Sequence, residues 1–350
     1  MFQPPRCPYR NCRQHRISAP GSFHRHGSYA PKCRAWPVQR YRCTSCRRTF
    51  SRQTFRADYR DHRPDLNAKL ILSVVSGVGL RQTARNLRLT LRCTELKFRK
   101  MARHLRRLNL NLRGALPEGS TLQFDEFETY ESRRNTRPLS VPVLIERQTR
   151  FVIWAEAAPI RPRGRMTEAR ERAIIEDERR FGRRKDLSAR SVGRTLARGA
   201  AAVRHLAYVV FESDEKATYP AAARKAFGRS RLEHRQTNSK LARRTWNPLF
   251  PINHTEAMAR DLIGRLRRES WLVSKKRRYL DLALHAFMAY RNYVRMRFNF
   301  DNETPAQLLG FVHRPLTLGE LVSWRQDWGP GSIHPISRRG APVGRRRAAA

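Results

Sequence analysis

From Thr121 onward the order of strand-like and helix-like segments restricts the folds open to this chain. Three strand-like segments follow one another: Thr121 to Thr129 (TLQFDEFET), Pro138 to Ile145 (PLSVPVLI) and Phe151 to Ala158 (FVIWAEAA). The gaps between them leave room only for hairpin-like connections. A long helical stretch, Thr167 to Arg198, broken near Gly182, comes next. It is followed by an unbroken apolar strand, Leu206 to Phe211, a weaker strand near Leu232 to Thr237, and a helix over Asn253 to Arg268. Successive strands followed by alternating helices and strands predict a mixed α/β fold, a mixed sheet flanked by helices, over residues 120–312.

Charge points to the partner. The chain carries 73 Lys and Arg against 29 Asp and Glu, a formal net charge of +44, while its hydrophobic fraction of 40% can still bury a core. A cationic excess of this size attracts polyphosphates and releases condensed counterions when it neutralises them, so nucleic acid is the expected partner. A membrane span is excluded by length. The longest apolar run, Leu70 to Leu80, is interrupted by Ser and Gly and reaches about half of the roughly 20 residues a helix needs to cross a bilayer. The opening residues, MFQPPRCPYRNC, have no apolar stretch of the signal-peptide kind, so a cytoplasmic, nucleoid-associated protein is expected, with its cysteines as thiols or metal ligands.

Four of the six cysteines form two tight pairs, Cys7-x4-Cys12 and Cys43-x2-Cys46. Each pair can offer two thiolates to one tetrahedral zinc, and the Pro-, Gly- and Arg-rich segment between them has too little apolar mass to fold unaided. Residues 1–55 are therefore expected to be a small zinc ribbon. Cys33 falls mid-loop, and Cys93 inside a helix, where a small buried thiol is the expected role.

From Asp65 the period becomes helical: Leu66, Leu70, Val74 and Val75, a break at Gly77-Val78-Gly79, then Leu80, Thr83, Ala84 and Leu87. A third helix, Thr94 to Leu105, places Lys97, Arg99, Lys100 and Arg103 around a stripe of Leu96, Met101 and Leu105. This outlines a helix-turn-helix over residues 62–112, with Leu80 to Leu87 as its first helix and the basic helix as the reader. Arg81, Gln82, Lys97, Arg99, Lys100 and Arg103 are the expected DNA contacts. A linker, Arg113 to Ser120, follows, and the Arg-rich tail at 328–350 reads as a disordered basic arm.

In so cationic a chain, a carboxylate on an apolar strand is informative, because its burial is costly unless a metal or a donor answers it. Alternation within TLQFDEFET sends Leu122 and Phe124 to one face and Asp125 and Phe127 to the other, with Glu126 and Glu128 pointing away from Asp125. Asp214 follows the buried-strand pattern Leu206 to Phe211, at the carboxyl end where active groups collect. Two strands thus deliver two carboxylates suited to a hard cation. On the helix from Asn253, the residues Asn253, Glu256 and Arg260 fall at i, i+3 and i+7 and can face one site. Asn253 is also an N-cap type, and Glu256 with Arg260 makes an ordinary i,i+4 pair.

The order of RYRCTSCRRTFS, GLRQTARNL, QFDEFETY, PLSVPV, TRFVIWAE, VVFESDE, PLFPINHTEAMARDLIGRLRRESWLVSKK and TPAQLLG resembles bacterial insertion-sequence transposases of the zinc-ribbon, ribonuclease-H-like kind, from about Cys7 to about Gly310. The resemblance implies a DDE-type catalytic domain that cleaves and joins double-stranded DNA at element ends, with Asp125 and Asp214 as the first two ligands of Mg2+ or Mn2+. Alignment on RLRRESWLVSKK puts the third ligand at Asn253, where relatives of this branch carry Asn or His, with His254 and Glu256 as alternatives. Arg260 would touch the scissile or a neighbouring phosphate, and Lys275 and Lys276 the backbone beyond it. A homo-oligomer on DNA is implied, since two ends must be brought together. The rivals are a catalytically inactive or domesticated zinc-ribbon and helix-turn-helix DNA-binding protein, and a basic RNA-associated protein.

Overall fold

The computed structural model of the chain describes residues 2–16, 18–32, 36–267 and 270–325. The basic tail and Cys33 lie outside the described residues.

The N-terminal segment holds a short helix α1 (Arg13–Arg16) and an antiparallel sheet of β1 (Phe23–Tyr29), β2 (Val38–Cys43) and β3 (Thr49–Ser51), in that order. Its core is small. Tyr41, Phe50 and Phe55 are buried beside Cys7, Cys12 and Cys43, with Phe2 and Phe23 packed on them.

Three helices follow: α2 (Leu66–Val74), α3 (Leu80–Asn86) and α4 (Leu91–Asn111). Gly77, at φ 78°, turns the chain between α2 and α3, and its N–H donates to Leu262 O. The left-handed conformation favours glycine, and a Cβ here would also meet the Arg267 guanidinium at 2.4 Å. The N–H of Cys93 donates to the Thr90 hydroxyl, capping α4. Thr94, Phe98, Met101, Ala102, Leu105 and Leu108 form the buried stripe of α4. Leu96, expected in that stripe, is 51% exposed, because the phase set by Phe98 and Met101 turns it outward.

The remainder is mixed α/β, as its segment order predicts. Its strands are β4 (Thr121–Tyr130), β5 (Pro138–Glu146), β6 (Val152–Ala155), β7 (Ala158–Pro159), β8 (Val209–Asp214) and β9 (Leu232–Thr237). They form one sheet of order β6-β5-β4-β8-β9, with β7 also on β5. The pairings of β4 with β5 and of β5 with β6 are antiparallel, whereas β8 joins β4, and β9 joins β8, in parallel. Helices α5 (Glu168–Phe181), α6 (Ser188–Ala202), α7 (Tyr219–Phe227), α8 (Phe250–Leu262), α9 (Arg277–Tyr293), α10 (Pro305–Leu308) and α11 (Leu318–Ser323) complete it.

Among the boundaries that differ from the sequence pattern, two bear on the site. The apolar run Leu206 to Phe211 begins in a turn, where the Leu206 N–H donates to Val203 O, so β8 extends three residues further and ends on Asp214 itself. Helix α8 begins at Phe250, with Pro251 in its first turn, so Asn253 lies inside the helix and does not cap it.

Phe124 packs edge-on against Tyr219 of α7 at 5.0 Å and stacks on Phe211, and Phe211 meets Phe227 of α7, so α7 covers that face of the sheet. The opposite face of β4 receives α8, where the Ile252 N–H donates to Gln123 Oε1 at 3.1 Å. At the sheet edge, Asn292 of α9 both accepts from the Val152 N–H and donates to its carbonyl, satisfying an edge strand's backbone. Buried apolar residues of α2 and α4 share one core with those of the sheet and of α9. Asn109 of α4 donates to His285 O, and a His104 ring nitrogen lies 2.8 Å from Leu321 O. Among the described residues no helix is long and apolar enough to cross a membrane.

Candidate active site and metal centre

The carboxylates of Asp125 and Asp214 are brought together by strand register. Leu122 pairs with Phe211 and Gln123 with Glu212 along the parallel β4–β8 ladder, so two residues further on Asp125 stands level with Asp214. Side chains level on adjacent strands share a face. On that face Gln123 Nε2 donates to Glu212 Oε2 at 2.7 Å, which fixes the side on which Asp125 and Asp214 emerge.

Helix α8 supplies the third acid. Its first turn is held by Gln123, and Arg260, near its end, lies 4.9 Å from the centre of the Phe127 ring. Asp125 sits between Gln123 and Phe127 on the strand, and Glu256 sits between Ile252 and Arg260 on the helix, so the two acids face each other. Glu256 is 2% exposed, and its Oε1 is buried without a hydrogen-bond partner. Its contact with Arg260 is long, 3.9 Å. Burial, then the negative charge of Asp125, pushes the Glu256 carboxyl up to about 8. Burial also raises Asp125 to about 6, with Asp214 adding to the shift and the Glu126 N–H, which donates to Asp125 Oδ1, opposing it.

Asn253 lies one turn before Glu256, half-buried on the same side of α8. His254 is turned away. Its ring packs between Phe250 and Phe298, and the charges that act on it are those of Arg150, Arg291 and Arg295, away from the carboxylates. Glu126 points to the other face, as alternation predicts, and there binds Ser140, Lys216 and the Tyr219 hydroxyl.

The arrangement is a set of poorly compensated carboxylates from three elements. Among the described residues neither Asp125 nor Asp214 has an ion-pair partner, and the nearby cations are Arg260 and, by its electrostatic effect on Asp125 and Glu256, Arg243. Oxygen donors of this kind suit hard divalent cations. The carboxylate oxygens do not gather as tightly as the four thiols do, which are the only metal-type cluster within 4.8 Å among the described residues.

Those thiols are Cys7, Cys12, Cys43 and Cys46. The separations Cys7–Cys46 and Cys12–Cys43 are both 3.7 Å. A tetrahedral zinc with Zn–S bonds of about 2.3 Å requires S···S edges of about 3.8 Å, so the spacing is compatible with a zinc site. Backbone turns set it: the Arg47 N–H donates to Cys43 O with Arg47 at φ 59°, and the Cys12 N–H donates to Tyr9 O. Burial pushes the Cys7 and Cys43 thiols up, a cost that a bound cation would reverse.

The expected DNA contacts divide. Arg81, Gln82, Lys275 and Lys276 line one groove of about 800 Å3 between α3 and the segment before α9, where Trp271 is 94% exposed. Arg99 is half-buried and Arg103 exposed on α4. Lys97 is a correction: it is 7% exposed and ion-paired with Asp61, with its ammonium also donating to Arg63 O, so it ties α4 to the preceding loop. Lys100 donates to Tyr59 O at 2.7 Å and reinforces the same junction.

Gln123 and Arg243 were not singled out from the sequence. For Gln123 a signal existed, a polar residue two positions before Asp125 on the same strand face. Neither a protein family nor a curated protein matches the chain.

Proposed function

We propose that the protein is a DNA transposase of the insertion-sequence kind, whose ribonuclease-H-like sheet carries a metal-dependent site for phosphodiester cleavage and strand transfer. The observation that carries this reading is the level placement of Asp125 and Asp214 on two parallel strands, with the buried Glu256 of α8 within electrostatic reach of Asp125, in a strongly cationic molecule. Three antiparallel strands followed by two parallel ones support the fold assignment. The paired cysteines and the α3–α4 pair support zinc-ribbon and helix-turn-helix modules that engage element ends.

Asp125, Asp214 and Glu256 are the residues that would hold Mg2+ or Mn2+, with the amide of Asn253 as a further oxygen donor. The buried, unpartnered Oε1 of Glu256 and the raised Asp125 and Glu256 carboxyls fit such cations, which neutralise them. Divalent cations held there would supply nucleophile activation and stabilisation of the leaving oxygen. The chain itself does the positioning. Asp125 and Asp214 set the plane of the site through strand register, and α8 closes it from above. Arg260, held over the Phe127 ring, offers a guanidinium to a phosphate oxygen. Lys275, Lys276 and Arg81 hold backbone phosphates in the groove at α3 and fix the duplex without reading sequence. Cys7, Cys12, Cys43 and Cys46 would hold zinc as a structural ion.

The test is incubation of purified protein with labelled duplex carrying the gene's flanking sequence and Mg2+ or Mn2+. Wild type nicks or joins the strand; Asp125→Asn binds it with equal affinity and does neither. If both proteins bind and neither cuts, the chain is a non-catalytic DNA-binding protein.

A further inference from the structure

Beyond the carboxylates, β4 continues past Phe127 into a cavity of about 480 Å3. Arg134, Arg161, Arg163, Arg170, Arg260 and Arg267 line it, against a single acid, Glu128. Three of these arginines have weak or backbone partners only. Arg163 makes only a 3.8 Å contact with Asp186, and Arg161 donates to a backbone carbonyl at 3.4 Å. Arg170 spends its two terminal nitrogens on the carbonyls of Arg163 and Arg165, leaving its Nε buried without a partner.

The other wall is different. The half-buried Tyr130 gives it an aromatic ring, backed by the buried Phe127, Ile160 and Leu266. Its volume lies in the range of small-ligand pockets, about 300–1,000 Å3, and a groove holding a base-paired helix is far larger. An anionic ligand with a flat apolar part satisfies both walls. Phe127 and Asp125 are two residues apart on one strand face, and Arg260 lines the cavity while lying 3.9 Å from Glu256. An occupant is therefore directly next to whatever the carboxylates hold.

We propose that this cavity receives one unpaired nucleotide of the strand being cut, its base against Tyr130 and its phosphate among the arginines. The assignment rests on the cleavage reading above and names where that strand runs. Guanidinium groups bind phosphate through paired N–H donors, and aromatic rings stack on any base, so the subsite holds a nucleotide without selecting its identity. Placing a nucleotide there takes it out of the duplex, and the cost falls when the base is already unpaired.

The full-length protein is mixed with labelled duplexes of one sequence, fully paired or carrying a single-nucleotide bulge, with no divalent cation added, so that binding is read apart from chemistry. Wild type is expected to hold the bulged duplex about tenfold more tightly. The double variant Arg134→Gln, Arg161→Gln and the single variant Tyr130→Ala are expected to lose that preference while keeping wild-type affinity for the paired duplex and wild-type melting temperature. No preference in wild type overturns the proposal, as does a preference that survives in both variants. Equal weakening on both duplexes overturns it too, since the arginines would then serve a duplex backbone. The cleavage reading fails separately, if wild type never cuts.

Discussion

Gln123 and Glu212 are joined side chain to side chain at 2.7 Å, two residues short of Asp125 and Asp214 on the same pair of strands. Gln123 also donates to Pro248 O and accepts from the Ile252 N–H, so one fully buried amide ties together the three elements that carry the acids. Replacement by Gln123→Leu leaves buried polar groups unpaired and should cost roughly 2–3 kcal/mol of stability by urea denaturation. Cleavage should fall further than stability accounts for, whereas DNA affinity should hold. Unchanged cleavage would remove Gln123 from the positioning of the site.

Cation affinity should depend on pH. With Glu256 raised to about 8 and Asp125 to about 6, both acids are partly protonated near neutrality, and cations bind the ionised forms. Apparent Mn2+ affinity, followed by calorimetry, should rise from pH 6 to pH 8 with proton release on binding. The sign for stability is opposite in cation-free protein. A carboxyl raised on folding loses stability as pH climbs from its ordinary range through the raised value, so Glu256→Gln should melt higher than wild type at pH 8, by roughly 1–3 kcal/mol. A lower melting point in the variant would contradict the burial of an uncompensated charge.

Two buried histidines give an acid limb. Burial pushes His104 down to about 4 and His285 to about 3, while the unfolded chain binds a proton near 6.5. Their folded values lie below the unfolded one, so their contribution is complete above about pH 6.5 and is lost as pH falls toward 4. At pH 5 each should cost roughly 2 kcal/mol relative to pH 7. Urea midpoints of wild type and His285→Gln at the two pH values check this, and the variant should show the smaller drop.

Basic residues on α4 should separate by role. Lys97→Met removes the partner of a buried Asp61 and should destabilise the fold by roughly 3–5 kcal/mol. Arg103→Gln should leave the melting point unchanged and reduce the log–log salt slope of DNA binding by about 0.9. A salt slope unchanged in Arg103→Gln would take that residue off the DNA.

At the other end of the chain, a strong chelator or Cys43→Ser should abolish order around Tyr41 and Phe50, and metal analysis should find about one zinc per chain. Freshly reduced protein without metal would refute the site.

Much of the α/β half was legible because β4 and β5 are runs of strand-forming residues bounded by turn signals and β9 occupies the weak segment Leu232 to Thr237 as read. Asp125 stood out as a charge within an apolar strand, and its outward alternation from Glu126 is what Ser140 and Lys216 reveal. The choice among Asn253, His254 and Glu256 was not legible. Local spacing admits all three, and only the packing of α8 on Gln123 and Phe127 sets which side of the helix faces the sheet. Lys97 misled for a related reason, since a lysine on a basic helix reads as solvated until a distant Asp61 is folded against it. The arginine-lined cavity draws on residues from Phe127 to Arg267, a convergence no local pattern encodes.

The single rod of α4 runs from a capped, solvent-facing start at Leu91 to an end clamped on α9 through Asn109. Its 21 residues make it about 31 Å long. With Asn109 tied to His285 O, the length of α4 fixes how far its capped start stands from α9. Lengthening α4 by one residue would swing its outward side by about 100° relative to that contact, in the manner of a ruler re-marked.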